Sequence, residues 1–205
     1  MFPAYQSGRE FDDDLIEQLN ALPELVAAFG FGNAKAPGYE ADDFLAAAVA
    51  AEERAGGPAV VASGDLDSFQ LASPHTTILY PSRGGEIARI GPEEVRQRYG
   101  VDPNQVPDFT ALRGDPSDEL PGAAGVGPKR ATQLVQRYGA LDGILRAGLF
   151  QTQAEILRLY RLIATMDANA PLPSLADQQP RWGSASTLTR DWGLNQLADR
   201  LGEMA

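Results

Sequence analysis

Three short stretches of this sequence concentrate carboxylates: "GYEADD" with Glu40, Asp42 and Asp43, "SGDLDSFQL" with Asp65 and Asp67, and "RGDPSDELPG" with Asp115 and Asp118. Singly, each suits a helix cap or a turn, because negative charge at a helix N-terminus is favourable by roughly 0.3–1 kcal/mol and Asp fits tight turns for backbone reasons. Together they point elsewhere. Acids gathered in one pocket repel one another unless cations neutralise them, and hard divalent ions such as Mg²⁺ or Mn²⁺ prefer carboxylate and water oxygens. Two such ions about 3.5–4 Å apart clamp the attacking and leaving oxygens of an in-line displacement at phosphorus. The expected chemistry is hydrolysis of phosphate esters. With no cysteine and one histidine, His75, the chain excludes thiol catalysis, disulfides and zinc-thiolate sites, and leaves little for a histidine-centred mechanism.

A net charge of −11 argues, as a total, against a polyanionic partner. The charge is unevenly placed, however. Seven of the 28 acids fall in the three clusters, and the remaining 21 stand against 17 bases. Between Pro121 and Ala147, Lys129, Arg130, Arg137 and Arg146 face Asp142 alone. Within that segment "GVGPKR" presents backbone N–H groups at a glycine turn and a helix N-terminus, with Lys129 and Arg130 adding charge, which is a ready phosphate site. An ordinary helix-turn-helix packing unit would use the same residues. Directly after an acidic pocket, the segment fits a grip on duplex backbone that fixes register without reading sequence.

The elements that must carry these groups are legible from spacing. At 205 residues and 43% hydrophobic composition, the chain can bury a core as one domain or one domain with an appendage. Apolar residues from Leu15 to Phe29 recur at helical steps after Asp12-Asp13-Asp14, and Pro23 is expected to kink or divide that helix. A second helix is expected from near Tyr39 to about Ala55, so that Glu40 and Asp43 share a face, and a buried strand from Ala59 to Ser63. Asp65 and Asp67 follow that strand, and i and i+2 point the same way if the extended backbone continues. "TTILYP" and "EIARI" read as a hairpin around a glycine-containing turn, and helix–strand alternation favours a parallel α/β sheet. Helices are expected over Pro92 to Tyr99, in "PDFTALRGD" up to Gly114, and from about Pro128 to Tyr138. The remainder reads as helical except "NAPLPSLADQQPRWGSAS", a surface loop. No apolar run reaches the roughly 18 residues of a membrane span and the start is not a signal or transit peptide, so a cytoplasmic location is expected.

"PGYEADD", "SGDLDSFQL", "RGDPSDELPG" and "GVGPKRATQLVQRYG" closely resemble, in order and spacing, the 5′–3′ exonuclease and flap endonuclease family, most of all the exonuclease domain of bacterial DNA polymerase I. The resemblance extends over nearly the whole chain. It implies a PIN-like α/β nuclease core over residues 1–112, incomplete at its N-terminus, followed by a helix-3-turn-helix and C-terminal helical region over 113–205. It further implies metal ligands at Glu40, Asp42, Asp43, Asp65, Asp67, Asp115 and Asp118, a DNA grip at Gly125, Val126, Gly127, Lys129 and Arg130, and a K⁺ ion at the glycine turn. The implied partner is DNA with 5′ ends, flaps or nicks, bound by a monomer. The implied activity is structure-specific, Mg²⁺- or Mn²⁺-dependent cleavage in replication and repair.

Three departures bear on that expectation. The family opens with a strand carrying an aspartate, a second aspartate and a helical arch, whereas "FPAYQSGR" resembles the end of the arch, so impaired activity, or a non-catalytic DNA-junction binding module, is the alternative. The arch lysine falls at Gln6, while Arg9 keeps the catalytic arginine three positions later. Glu119 stands where bacterial relatives usually have asparagine.

Overall fold

The computed structural model describes residues 12–174 and 176–205. In chain order the helices are α1 (Asp13–Ala28), α2 (Ala41–Arg54), α3 (Pro92–Tyr99), α4 (Val106–Arg113), α5 (Pro128–Tyr138), α6 (Leu141–Arg146), α7 (Ala154–Ala164), α8 (Trp182–Asp191) and α9 (Asn195–Gly202), with strands β1 (Ala59–Ala62), β2 (Thr76–Pro81) and β3 (Ile87–Ile90). Two compact units emerge: one is Asp42–Ala170, and the other combines the stretch ending at Ala41 with Pro171–Ala205.

In the first unit, period-2 burial builds a three-stranded sheet of order β1-β2-β3. Strands β1 and β2 run parallel with Val61 opposite Ile78, and β2 and β3 are antiparallel with Ile78 opposite Ile90. The hairpin closes through Gly84 and Gly85, both at positive φ, with Ser82 N–H donating to Glu86 O at 2.8 Å. A 3₁₀ turn, Leu66–Leu71, follows β1 and plants Phe69 in the sheet core with Ile78, Val95 and Val106. Helix α2 is fastened to the sheet by Glu53, whose carboxylate accepts the Ser73 and Thr76 hydroxyls, the latter at 2.6 Å. The Ser73 bond, and after it the Thr76 bond, hold the Glu53 pKa below its ordinary value.

Helices α4 to α7 enclose a second core containing Phe109, Leu112, Val135, Leu141, Ile144 and Leu157. Tyr99 packs against both cores: its ring stacks on Phe109 at 5.1 Å and tilts against Phe69 at 5.9 Å. Asp108 is buried and accepts the Leu141 N–H at 3.1 Å, while Arg161 lies 3.5 Å from Asp108 and 2.8 Å from Asp142. That network pins α6 and α7 to α4.

The second unit packs α1, α8 and α9. Arg181 closes the end of α1, donating its N–H to Phe29 O at 2.9 Å and a guanidinium N–H to Ala27 O at 2.6 Å, and Trp182 meets Phe29 edge-on at 5.9 Å. These contacts correct one expectation. The polar stretch beginning at Asn169 gives way to helix at Trp182, not after Ser186, because Trp182 has Phe29 to pack on and Ala185 is buried. Pro23 does not divide α1 either. Pro23 and Leu19, whose carbonyl loses its helical donor, are both exposed, so water can satisfy that carbonyl. Among the described residues no helix is long and apolar enough to cross a membrane.

Candidate functional site

At the carboxyl end of β1 the backbone does not stay extended. Asp65 caps the 3₁₀ turn, its Oδ1 accepting the Asp67 N–H at 2.9 Å, and its own N–H donates to Ser63 Oγ at 3.1 Å. Asp65 is exposed and Asp67 half-buried, so the i, i+2 relation expected of a strand is replaced by a capped turn. The turn nevertheless holds two acids close together. Burial, and then the negative charges of Asp65, Asp115 and Asp118, raise the Asp67 pKa to about 7, against a smaller pull from Arg113. The second and third acidic clusters thus lie within electrostatic reach of each other, although about 50 residues separate them in sequence.

Asp115 and Asp118 sit on a loop closed by reciprocal bonds, Asp115 N–H to Leu120 O and Leu120 N–H to Asp115 O, both 2.8 Å. The loop is entered through Gly114 and left through Gly122, both at positive φ and in such close backbone contact that a Cβ on Gly122 would lie 2.5 Å from Gly114 N. Glu119 is held at φ 56 within it. Asp115 is nearly buried; its Oδ1 accepts the Ser117 N–H at 2.9 Å and hydroxyl at 2.5 Å, and Arg113 Nη2 lies 3.0 Å from Oδ2. An open cavity of about 560 Å³ is lined by Gly64, Asp65, Leu66, Tyr80, Arg113, Asp115, Pro116 and Ser117.

The first cluster lies at the start of α2. That helix begins at Ala41, so Glu40 precedes it, exposed, and does not share a helical face with Asp43. Asp42 and Asp43 occupy the first turn, half-buried, and Asp43 Oδ1 accepts the Asp167 N–H at 2.7 Å. Among the described residues no three acidic or histidine side chains converge into a ligand shell. The donor chemistry still suits a hard divalent cation: the groups are carboxylate oxygens, and burial, followed by their mutual repulsion, raises the Asp67 pKa to about 7. Arg9 lies outside the described residues.

The glycine turn leads into a helix at Pro128, as read from the sequence, but the Val126 N–H is already used within the turn. Gly125 has φ 72, Val126 is buried with its N–H on Ala123 O at 3.0 Å, and Gly127 leads into α5 with no side-chain cap. Pro128 has no N–H, and helix geometry leaves the Lys129 and Arg130 N–H groups without intrahelical acceptors. Both side chains are exposed, and the Arg130 guanidinium lies 5.9 Å from the Phe150 ring centroid. A second shallow cavity is lined by Gly127, Pro128, Lys129 and Arg130.

Comparison with known proteins adds a second line of evidence. The family model for the 5′–3′ exonuclease N-terminal resolvase-like domain matches residues 1–100, and that for the 5′–3′ exonuclease C-terminal SAM fold matches residues 101–184. The chain belongs to the 5′–3′ exonuclease family. DNA polymerase I of Mycobacterium tuberculosis is 41% identical over 146 residues, covering 70% of this chain and 16% of that protein; DNA polymerase I of Deinococcus radiodurans is 39% identical over 147 residues, covering 71% and 15%. The chain therefore spans less than a fifth of the length of these relatives. In fold it matches T5 5′-exonuclease, at TM-score 0.65 and 16% identity over 96% of this chain and 73% of that one. It also matches the catalytic core of Rad2, at TM-score 0.56 and 14% identity over 94% and 70%. The small sheet plus helical second half is thus the resolvase-like, PIN-type nuclease core with its SAM-fold partner.

For a 5′–3′ exonuclease chain, three residues of the site escape sequence reasoning. Arg113 pairs with Asp115, Tyr80 lines the cavity from the end of β2, and Gln70 bonds Asp67 O at 2.9 Å and Ala164 O at 3.0 Å. The signal for Tyr80 was available, since ligand crevices in α/β sheets lie at the carboxyl ends of strands. Arg113 sits two residues before Asp115, a spacing that no periodicity rule singles out.

Proposed function

We propose that the chain carries the nuclease of a structure-specific, divalent-metal-dependent 5′–3′ exonuclease or flap endonuclease, a cytoplasmic and monomeric unit that hydrolyses DNA phosphodiesters in replication and repair. The observation that carries this is the electrostatic coupling of Asp67 to Asp65, Asp115 and Asp118, with Asp65 and Asp115 lining one open cavity, in a chain of this family. Solved structures of similar fold support it: T5 5′-exonuclease with zinc bound, T5 flap endonuclease with DNA and metal ions, and the Rad2 catalytic core in complex with a DNA substrate.

In this reading Glu40, Asp42, Asp43, Asp65, Asp67, Asp115 and Asp118 hold Mg²⁺ or Mn²⁺. Such ions supply charge neutralisation and Lewis acidity for in-line displacement at phosphorus. Partial burial limits water at Asp67, and Arg9 assists at the scissile phosphate. The turn at Gly125, Val126 and Gly127, with Lys129 and Arg130, holds duplex backbone, with room for a K⁺ ion between turn and phosphate. Residues 1–112 form the nuclease core and 113–205 the helical DNA-binding region.

A labelled 5′-flap duplex with Mg²⁺ or Mn²⁺ tests the proposal. Release of 5′-labelled product, lost in Asp115→Ala while flap binding is retained, is the expected result. The absence of a closed ligand shell among the described acids favours one rival, a DNA-junction binding module that does not cut. Flap binding without product in either metal would establish that rival.

A further inference from the structure

Resting on the reading of the acidic cluster as a divalent-metal site, we propose that Arg113 is the resident counter-ion of that cluster and that a divalent ion engages Asp115 in competition with it. Both Asp115 oxygens are already committed: Oδ1 to the Ser117 N–H and hydroxyl, Oδ2 to Arg113. The Arg113–Asp115 pair is mostly buried, the side chains being 19% and 13% exposed. Arg113 is also fixed from other sides. Its Nε donates to Gly114 O at 2.9 Å, and its guanidinium carbon stands 5.3 Å from the Phe109 ring centroid.

A guanidinium stays charged at any working pH, so it cannot vacate the site by losing a proton. Its position among the lining residues of the same cavity as Asp65 and Asp115 places one positive charge where an incoming ion must go. That charge steadies the metal-free cluster and weakens its attraction for a second cation. Ser117 orients Asp115 independently, so removing Arg113 leaves the ligand aimed while freeing Oδ2.

Mn²⁺ alone, titrated calorimetrically into the 205-residue chain, tests this. Arg113→Gln, which keeps an N–H donor without charge, and Arg113→Met should bind Mn²⁺ at least about tenfold more tightly than the unaltered chain, while Arg113→Lys should stay within about threefold. Arg98→Gln removes a nearby exposed charge that does not touch Asp115 and should change affinity by less than about threefold. Circular dichroism establishes that each variant is folded, and if Arg113→Met is not, Arg113→Gln decides alone. Unchanged or weaker binding in Arg113→Gln, or equal tightening in Arg98→Gln, would overturn the competition and leave Arg113 a structural brace. Absence of Mn²⁺ binding in the unaltered chain and all variants would overturn the metal reading as well, which separates the two failures.

Discussion

The backbone N–H of Asp167 donates to Asp43 Oδ1 at 2.7 Å, joining an acid at the start of α2 to a residue 124 positions later. Gln70 reaches the same stretch of chain, donating to Ala164 O at 3.0 Å and accepting the Met166 N–H at 3.0 Å, while also bonding Asp67 O. The segment after α7 therefore holds two of the three acidic clusters. Gln70→Ala should destabilise the chain by about 2–3 kcal/mol, because partly buried backbone groups lose their partners. Denaturant unfolding measures this, and an unchanged midpoint would show that water replaces Gln70 without loss.

Asp67 should give the fold a pH dependence whose sign follows from its raised pKa. Its folded pKa of about 7 lies above the ordinary 3.8, so between those values the folded chain binds more protons than the unfolded chain. Stability should therefore fall as pH rises from about 4 to 7 and level off above, by up to about 4 kcal/mol less the screening of a half-buried group. Asp67→Asn should flatten the slope. Added Mg²⁺ or Mn²⁺ competes with that proton, so its stabilising effect should grow between pH 6 and 8. Thermal melts in chelator and in metal check both parts; an equal slope in the Asn variant would exclude Asp67 as the source.

The loop of Asp115 and Asp118 offers two substitutions of opposite sign. Gly122→Ala places a Cβ 2.5 Å from Gly114 N and 2.7 Å from Arg113 C, at φ 74, and should cost roughly 3 kcal/mol or more, since backbone must move. Glu119→Asn should stabilise by about 0.5–1 kcal/mol, because asparagine tolerates the left-handed region that Glu119 occupies. Paired denaturation curves settle both.

At the glycine turn, Lys129→Ala and Arg130→Ala should each weaken DNA binding equally across unrelated flap sequences and reduce the slope of log affinity against log salt by about 1. Fluorescence anisotropy over a salt series measures that slope. A wild-type slope in both variants would place the duplex elsewhere.

Where a single local rule governs, the sequence was legible to the residue. Helix α3 runs from Pro92 to Tyr99 and α5 from Pro128 to Tyr138 as read from a proline at one end and a glycine at the other. The parallel pair and the hairpin followed from strand pattern and turn glycines. Readings failed where a distant partner decides. Trp182 starts a helix because Phe29, some 150 residues earlier, offers it a surface. A single pocket for all seven acids was expected because caps and turns explain the three clusters poorly together; electrostatic coupling links Asp65, Asp67, Asp115 and Asp118, and which acid lies deepest depends on the capped turn after β1. Arg113 went unseen for a related reason: a cation beside the acids neutralises them without leaving any periodic trace.

Tyr99, in contact with Phe69 on one side and Phe109 on the other, joins the sheet core and the helical core within one compact unit. The seam between residues 100 and 101, where one family model stops and the next begins, is a boundary of ancestry and not of folding. Damage deep among the helices therefore has a packed route, through one aromatic ring, to the sheet core beneath Asp65 and Asp67.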